Sequence, residues 1–272
     1  MKRRAACLAV LPEECVSVIL SFTSPRDACR LSLTSSEFSS AALSESVWER
    51  FLPSDYEEII SRSVAPVVFT SMRDLFFRLC DSPILLRGSA MSFALDKGTG
   101  KKCYMLGSRE LSIARGNTQY QWRWTRSLES RNSEAVEYGH GCRLDDIQCK
   151  METHMLSPNT TYAAYFVYKL LTNGFEYYPV YASVKFVKGG GRGDIYAVNR
   201  AFLTSRTSTH VPIRQYGQLP RERRDGWMEI EMGEFFNDHG HDNEVELLVK
   251  GSKVLNFRLI VQGIELRPKE GK

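Results

Sequence analysis

The sequence predicts an α + β protein with more than one domain, in which N-terminal helices precede an antiparallel β-sandwich. Two observations carry this prediction. Apolar residues recur at near-helical spacing in the first third of the chain, and further along they alternate with polar residues at every second position. The chain has 272 residues, which is enough for one large domain or two smaller ones.

The first fifty residues have the pattern of three short amphipathic helices. Pro12 and Pro25 suit first helical turns, and Ser24 and Ser44 are candidate N-caps. The second helical pattern continues as far as Phe38. Three such helices bury little apolar surface alone. The segment is therefore expected either to pack on the rest of the chain or to meet a partner.

This segment, "LPEECVSVILSFTSPRDACRLSLTSSEFSSAALSESVWERF", resembles an F-box. The matching features are Leu11-Pro12, the aliphatic Val16, Ile19 and Leu20, the Pro25-Arg26-Asp27 turn, Cys29-Arg30-Leu31 with Ser35, and Val47-Trp48. The resemblance implies a three-helix motif over residues 8–54 that docks on a Skp-type adaptor and, through it, on a cullin. By position, the residues that it implies face the adaptor are Leu11, Pro12, Val16, Leu20 and Leu31, with Trp48 packed inside. The alternative is a helical cap on the C-terminal domain.

Residues 55–89 have the pattern of a helical linker between two modules. Ser71 is a candidate N-cap for a helix whose apolar face includes Leu75, Phe76 and Leu79. Asp81-Ser82-Pro83 is expected to end that helix.

Short strands with intervening turns follow from residue 90. "MSFALDKGTGKKCYML" predicts a strand, a turn containing Gly98 and Gly100, and a second strand. In "WMEIEM", Trp227, Glu229 and Glu231 alternate with apolar residues, which predicts one buried and one solvent-exposed face. Many short strands at this spacing are typical of an antiparallel sandwich.

The second half of the chain, residues 90–270, resembles the phloem-protein-2 family, which includes the tobacco agglutinin Nictaba. The matching blocks occur in order: "KKCYMLGSRELSI", "QYQWRW", "MLSPNTTYAAYFVYKL", "RRDGWMEIEMGEFFN", "EVEL" and "IVQGIELRPK". The resemblance implies a jelly-roll-like β-sandwich lectin for N-acetylglucosamine oligomers or N-glycan cores. Plants contain many chains that join an F-box to this domain.

The sugar site of that family implies two tryptophans and two acids. Trp122 matches one tryptophan and Glu244 one acid, whereas Arg115 occupies the other tryptophan position and Gly251 the other acid position. A guanidinium can stack and donate hydrogen bonds, but it is not a flat apolar surface for a sugar. We therefore expect altered or weak glycan binding, with Trp122 as the ligand platform. Tyr120 and Trp124 are expected to be structural.

The predicted function is that of a non-catalytic substrate-recognition subunit of a Skp–cullin–F-box ubiquitin ligase, whose lectin-like domain binds a glycan or glycoprotein. The alternative keeps the ligase role but assigns the sandwich to a protein surface, with Arg115 and Arg143 favouring acidic partners. An enzyme is disfavoured, because nucleophile-elbow, P-loop and dinucleotide motifs do not occur. No cofactor and no metal site is predicted, since the cysteine and histidine spacings fit no strong ligand pattern.

Composition limits the partners and the location. The net charge of +4 comes from scattered basic residues, which does not suggest nucleic acid. No apolar run approaches the roughly 18 residues of a membrane helix, and "LPEEC" interrupts the N-terminal apolar stretch before it reaches signal-peptide length. The expected location is the cytoplasm and nucleus, without a membrane partner.

Overall fold

The computed structural model describes residues 11–88, 90–113, 122–126, 134–139, 141, 144, 146–171, 178–187, 194–204, 217–238, 243–251, 255 and 258–269. The chain forms two compact units. One contains the helices up to Ile84 together with Ala94–Lys102, and the other contains Leu85–Phe93 and the chain from Cys103 onward. The predicted domain boundaries at residues 54 and 89 stay predictions.

Six helices lie in the helical unit. They are α1 (Glu13–Ser21), α2 (Pro25–Leu31), α3 (Ser36–Ala41), α4 (Glu45–Phe51), α5 (Tyr56–Ser61) and α6 (Met72–Asp81). None of the described helices is long and apolar enough to cross a membrane.

Residues 11–51, the described part of this segment, form four helices where the sequence predicts three. The predicted second helix is wrong beyond Leu31. The hydroxyls of Ser32 and Thr34 donate to the carbonyls three residues earlier, at 2.8 and 2.7 Å, and end that helix. Ser35 then caps α3 by accepting a hydrogen bond from the backbone N–H of Phe38 at 3.4 Å. Serine hydroxyls therefore both stop one helix and start the next.

All three predicted N-cap residues lie at the start of their helices, and two of them make the capping hydrogen bond. The Ser24 and Ser71 hydroxyls accept hydrogen bonds from the backbone N–H groups of Asp27 and Asp74, at 3.1 and 3.0 Å. Ser44 precedes α4 but makes no such bond, because its hydroxyl bonds the Ser46 hydroxyl at 2.9 Å.

An aromatic cluster holds the helical unit together. Trp48 of α4 is buried and lies 5.3 and 5.1 Å, between ring centroids, from Phe76 and Phe77 of α6. Its indole N–H donates to the Ala42 carbonyl at 2.7 Å. The expected inward packing of Trp48 is thus confirmed.

The second part of the chain is an antiparallel β-sandwich. Its strands are β1 (Ile84–Leu85), β2 (Met91–Leu95), β3 (Lys102–Gly107), β4 (Ser112–Ile113), β5 (Trp122–Arg126), β6 (Glu134–Tyr138), β7 (Ile147–Glu152), β8 (Thr160–Leu171), β9 (Tyr178–Val187), β10 (Asp194–Leu203), β11 (Arg221–Glu222), β12 (Met228–Asn237), β13 (Glu244–Gly251) and β14 (Arg258–Pro268). Sheet I has the order β1-β2-β3-β14-β8-β12-β11, and β6 pairs with both β14 and β5. Sheet II has the order β10-β9-β13-β7-β4.

The two sheets enclose an apolar core and are linked by hydrogen bonds. The Tyr168 hydroxyl of sheet I donates to the Thr204 carbonyl, which follows β10 of sheet II, at 3.2 Å. The Asn199 side-chain amide of β10 donates to the Met232 carbonyl of β12 at 3.1 Å. Burial raises the pKa of Tyr168, which keeps its hydroxyl protonated as a donor.

The outer face of sheet I is buried around β12, and the expectation of a solvent-exposed face there is wrong. Trp227 is fully buried against Met105 and Val167. The Glu229 side chain is only 10% exposed, because the guanidinium groups of Arg223 and Arg267 lie over it at 3.0 and 2.8 Å. The alternation in the sequence predicts which residues share a face of the strand, but not which other residues pack over that face.

Candidate functional site

The residues expected to face an adaptor divide into two groups. Leu11 and Pro12 are exposed and Leu31 is half-buried. Val16 and Leu20 are 1% and 0% exposed. In this structure Val16 and Leu20 therefore pack inside the helical unit, where α1 contacts α3 and α4, and their expected surface position is corrected to the core.

A different set of apolar side chains lies on the surface of these helices. Six of the twelve large apolar side chains that are exposed in the described part of the chain fall between residues 11 and 43: Leu11, Val18, Ile19, Phe22, Leu33 and Leu43. Phe22 is 70% exposed, and the Arg50 guanidinium of α4 lies over its ring, 4.2 Å from the centroid. We call these six residues the helical apolar surface.

Sequence reasoning picked Ile19 as a motif residue but did not place it or Phe22 on the surface. The signal was available in α1. Val16, Val18, Ile19 and Leu20 are apolar at four positions out of five, which is more than one face of a nine-residue helix can bury.

On the sandwich, Trp122 and Trp124 share one face of the edge strand β5. Trp124 pairs with Val136 of β6, which is in register with Val261 and Tyr168, and the Tyr168 hydroxyl reaches Thr204 beside sheet II. The two indoles therefore lie on the side that the sheets enclose. Both tryptophans are half-buried, and their rings meet edge to face with centroids 5.5 Å apart. Tyr120 lies outside the described residues.

Arg109 separates the roles of the two indoles. Its guanidinium lies 3.8 Å from the centroid of the Trp124 ring and donates to the Glu134 carboxylate at 2.8 Å. This hydrogen bond raises the pKa of Arg109 and lowers the pKa of Glu134, so both groups stay charged. One face of Trp124 is thereby covered, in agreement with its expected structural role.

Trp122 has an unsatisfied donor. Its indole Nε1 is buried and has no hydrogen-bond partner among the residues that the structure describes. Leaving a buried donor unpaired costs about 1–3 kcal/mol, and native proteins usually satisfy such groups with protein, water or ligand. The edge of sheet I at Trp122 therefore favours a group that carries an acceptor.

The structure does not bring Glu244 to Trp122. Glu244 begins β13 of sheet II, next to the fully buried Val245, and so it lies on the outer face of that sheet. Its carboxylate accepts a hydrogen bond from Lys150 at 3.1 Å. Arg115, the third expected carbohydrate-binding residue, and Arg143 lie outside the described residues.

Gly251, where the family implies a second acid, is enclosed. A side-chain carbon added there would lie 2.7 Å from Leu144 Cβ and 3.0 Å from Tyr178 Oη. Position 251 therefore has neither a carboxylate nor the space for one.

A buried ion network occupies the outer face of sheet I. The Arg223 guanidinium contacts the carboxylates of Glu265 at 2.6 Å and Glu229 at 3.0 Å. Arg267 bonds Glu229 at 2.8 Å and lies over the Tyr165 ring at 3.8 Å. Burial opposes the charge on Arg223, but the neighbouring Glu265 carboxylate outweighs it and raises the pKa. Because these charges are paired with one another, the network is structural.

No cluster of three or more histidine, cysteine, aspartate or glutamate side chains in the described residues has the geometry to hold a metal ion.

Comparison with known proteins matches both halves of the chain. A family model for phloem protein 2 matches residues 101–268, and an F-box-like model matches residues 8–54. The putative F-box protein PP2-B8 of Arabidopsis thaliana is 39% identical over 269 residues, which cover 95% of this chain and 86% of that protein. F-box protein PP2-B10 of the same plant is 38% identical, covering 94% of this chain and 92% of that protein.

Two of the solved structures that match part of this chain are carbohydrate-binding modules. TmCBM61 in complex with β-1,4-galactotriose is 10% identical with a TM-score of 0.32, and covers 58% of this chain and 87% of that module. The CBM22-1 xylan-binding domain from Paenibacillus barcinonensis Xyn10C is also 10% identical, with a TM-score of 0.31, and covers 60% of this chain and 94% of that domain.

The phloem protein 2 model covers more than half of the chain, and the Arabidopsis relatives align over nearly all of it. The chain belongs to the phloem protein 2 family, in the group of plant proteins that carry an F-box-like segment ahead of the phloem protein 2 domain.

Proposed function

We propose that this chain is a non-catalytic substrate receptor of a Skp–cullin–F-box ubiquitin ligase, acting in the cytoplasm and nucleus. The helices bind a Skp-type adaptor, and through it a cullin. The sandwich binds the target, which is a glycan or glycoprotein.

The observation that carries the adaptor role is the helical apolar surface. Six large apolar side chains are exposed within 33 residues of the F-box-like segment, and a group of such side chains that is exposed together marks an interaction site. Burying each of these side chains fully would contribute about 1.5–3 kcal/mol. Phe22, whose ring is contacted by the Arg50 guanidinium, has the size and exposure of an interface anchor.

A pull-down of the full chain with a purified Skp-type adaptor tests this role. We expect Ile19→Glu/Phe22→Glu to abolish capture, because it places two charges on the surface that must become buried. Phe236→Glu is the matched control, since Phe236 is 53% exposed on β12 of the sandwich. Equal capture of both variants, or no capture of the unmodified chain, would contradict the adaptor role.

The glycan role is supported by Trp122, whose half-buried indole and unpaired N–H lie at a sheet edge. An aromatic ring can stack on a sugar, and its N–H can donate to a hydroxyl oxygen. Single-site sugar affinities near 1 mM correspond to only about −4 kcal/mol. Calorimetric titration with chitotriose is expected to show binding that Trp122→Ala removes and Arg221→Met retains. Unchanged affinity of Trp122→Ala would exclude Trp122 as the platform.

A second candidate keeps the receptor role and replaces the glycan with a protein surface. It is favoured by the separation of Trp122 from Glu244 and by the enclosed position of Gly251. Competition distinguishes the two candidates: free chitotriose displaces a glycoprotein target but leaves a protein-surface target bound.

A further inference from the structure

The outer face of sheet II carries two rows of side chains whose chemistry differs from the rest of that sheet. In one row, Arg200 of β10 and Lys250 of β13 flank Tyr181 of β9 in direct register. The next row runs from Val198 across β9, β13, β7 and β4, through Ser183, Leu248, Gln148 and Ser112. We call these eight residues the Tyr181 face.

The Tyr181 face is accessible and apolar at its centre. Val198 is 61% exposed and Tyr181 44%, and Leu248 is half-buried between them and β7. Serine and glutamine side chains at the other positions supply donors and acceptors. A surface of this kind suits an extended chain with both apolar and polar groups.

The charge of the Tyr181 face is positive. The Arg200 guanidinium lies over the Phe202 ring at 5.7 Å and contacts no carboxylate in the described part of the chain. Among the described residues, the one carboxylate that contacts Lys250 is that of Asp146, at 3.4 Å. Two cations therefore face a single carboxylate, and one cation is left for a ligand.

The adjoining row lacks this property. There Lys150 contacts the carboxylates of Glu246 at 3.0 Å and Glu244 at 3.1 Å, and Lys185 contacts Glu246 at 3.2 Å, so two cations meet two carboxylates. This pairing lowers the pKa of Glu246, first through its hydrogen bond with Lys150. The positive charge is thus confined to one end of the sheet.

The dimensions of the face match a short peptide. Five strands spaced about 4.8 Å apart give a row of about 19 Å. An extended peptide rises about 3.3 Å per residue, so roughly six residues cross the sheet.

We propose that the Tyr181 face binds an extended acidic segment of the target protein. Its acidic side chains meet Arg200 and Lys250, and its alternate apolar side chains pack on Tyr181, Val198 and Leu248. This inference rests on the proposed receptor role and names a surface and a partner chemistry for it.

The test uses the full chain and a fluorescein-labelled octapeptide of alternating glutamate and valine. Fluorescence anisotropy is expected to show saturable binding that weakens with added salt. Arg200→Glu/Lys250→Glu is expected to weaken binding about tenfold or more, because it sets like charges against the peptide. Arg221→Glu, on exposed strand β11 of sheet I, is the matched control and is expected to bind normally.

Three outcomes overturn the inference: no saturable binding, equal binding of the octapeptide with glutamine in place of glutamate, or equal loss in Arg221→Glu. Loss of chitotriose binding instead of peptide binding in the double variant also overturns it, since the face would then be a glycan site. The adaptor pull-down keeps the two proposals apart, because the double variant leaves the helical apolar surface intact. Adaptor capture by the unmodified chain without any peptide binding overturns this inference alone.

Discussion

Gly251 limits what the sandwich can accommodate. Because a side chain there would meet Leu144 and Tyr178 at 2.7 and 3.0 Å, we expect Gly251→Asp to lower the stability rather than supply a carboxylate for a sugar. Overpacking of this kind typically costs about 1–3 kcal/mol. Thermal unfolding and titration with chitotriose measure the two effects.

The control is Glu222→Asp, which keeps a carboxylate on the exposed strand β11 and is expected to leave the melting temperature unchanged. A Gly251→Asp variant that binds chitotriose more tightly and melts at the normal temperature would contradict this account of the position.

At single residues, sequence reasoning works where the partner is local. The caps at Ser24 and Ser71 depend on a backbone N–H three residues away, and both were predictable. The burial of Val16 and Leu20, in contrast, depends on how α3 and α4 pack against α1. Helical periodicity along α1 does not show which of the adjacent apolar residues Ile19 and Leu20 is exposed.

At the scale of elements, the buried ion network ties the turn before β12 to sheet I. Arg223→Met removes the cation between Glu229 and Glu265, whose side chains are 10% and 5% exposed. Breaking a buried pair by removing one partner typically costs about 3–5 kcal/mol. Urea unfolding is expected to show a loss of this size.

The second variant, Arg223→Met/Glu265→Gln, removes the uncompensated charge together with its partner. It is expected to recover part of the loss, because an amide is less costly to bury than a carboxylate. Equal stability of Arg223→Met and the unmodified chain would show that the network contributes nothing.

The same network shows which property of strand β12 could not be predicted from the sequence. The order of helices followed by antiparallel strands was visible in the change of apolar spacing, and the hairpin of β2 and β3 was predicted from its glycines. The burial of Glu229 was not, because the guanidinium groups that cover it come from Arg223 and from Arg267, which is 38 positions away. The alternation of apolar and polar residues within β12 does not predict contacts with residues outside the strand.

At the scale of the whole molecule, paired carboxylates predict sensitivity to acid. Hydrogen bonding with Lys150 lowers the pKa of Glu246 from its ordinary 4.5, and that with Arg109 lowers the pKa of Glu134. A group whose folded pKa is depressed stabilises the fold above its unfolded pKa, and this contribution is lost as the pH falls through the folded value. We therefore expect the melting temperature to fall as the pH drops below 4.5.

Melting curves between neutral pH and pH 3 test this sensitivity. In Lys150→Met/Lys185→Met, the melting temperature should fall less between neutral pH and pH 3 than it does in the unmodified chain. The difference is expected to be about 1–3 °C, because each exposed ion pair contributes little. Lys250→Met on the same sheet is the control. A double variant with the pH profile of the unmodified chain would exclude Glu246 as a contributor.

The predicted site was only partly recoverable from the sequence, because its residues come from separate parts of the fold. Resemblance supplied the residue types, and the structure confirms the burial of Trp48 and the covering of Trp124. The faces of Trp122 and Glu244 depend on which sheet each strand joins. Strand pairing between distant segments decides this, and spacing along the chain does not.

The segment between β2 and β3 belongs to the same compact unit as the helices, and it contacts them through ion pairs and a backbone hydrogen bond. Lys102 donates to the Asp55 carboxylate at 2.6 Å, Lys97 donates to Asp81 at 2.9 Å, and the Gly98 carbonyl accepts from the backbone N–H of Arg26 at 3.4 Å. The Lys102 side chain is 8% exposed and the Asp55 side chain 40% exposed, so water screens the ion pair from the Asp55 side only.

We expect a fragment of residues 8–102 to be more helical and to melt at a higher temperature than a fragment of residues 8–84. The shorter fragment keeps all six helices but loses the cations that face Asp55 and Asp81. Circular dichroism measures both properties. Lys102→Met in the longer fragment isolates the Lys102–Asp55 ion pair, and it should give an intermediate melting temperature. Identical melting temperatures of the two fragments would mean that the helices are stable without the β2–β3 hairpin. The chain could then be divided at residue 84.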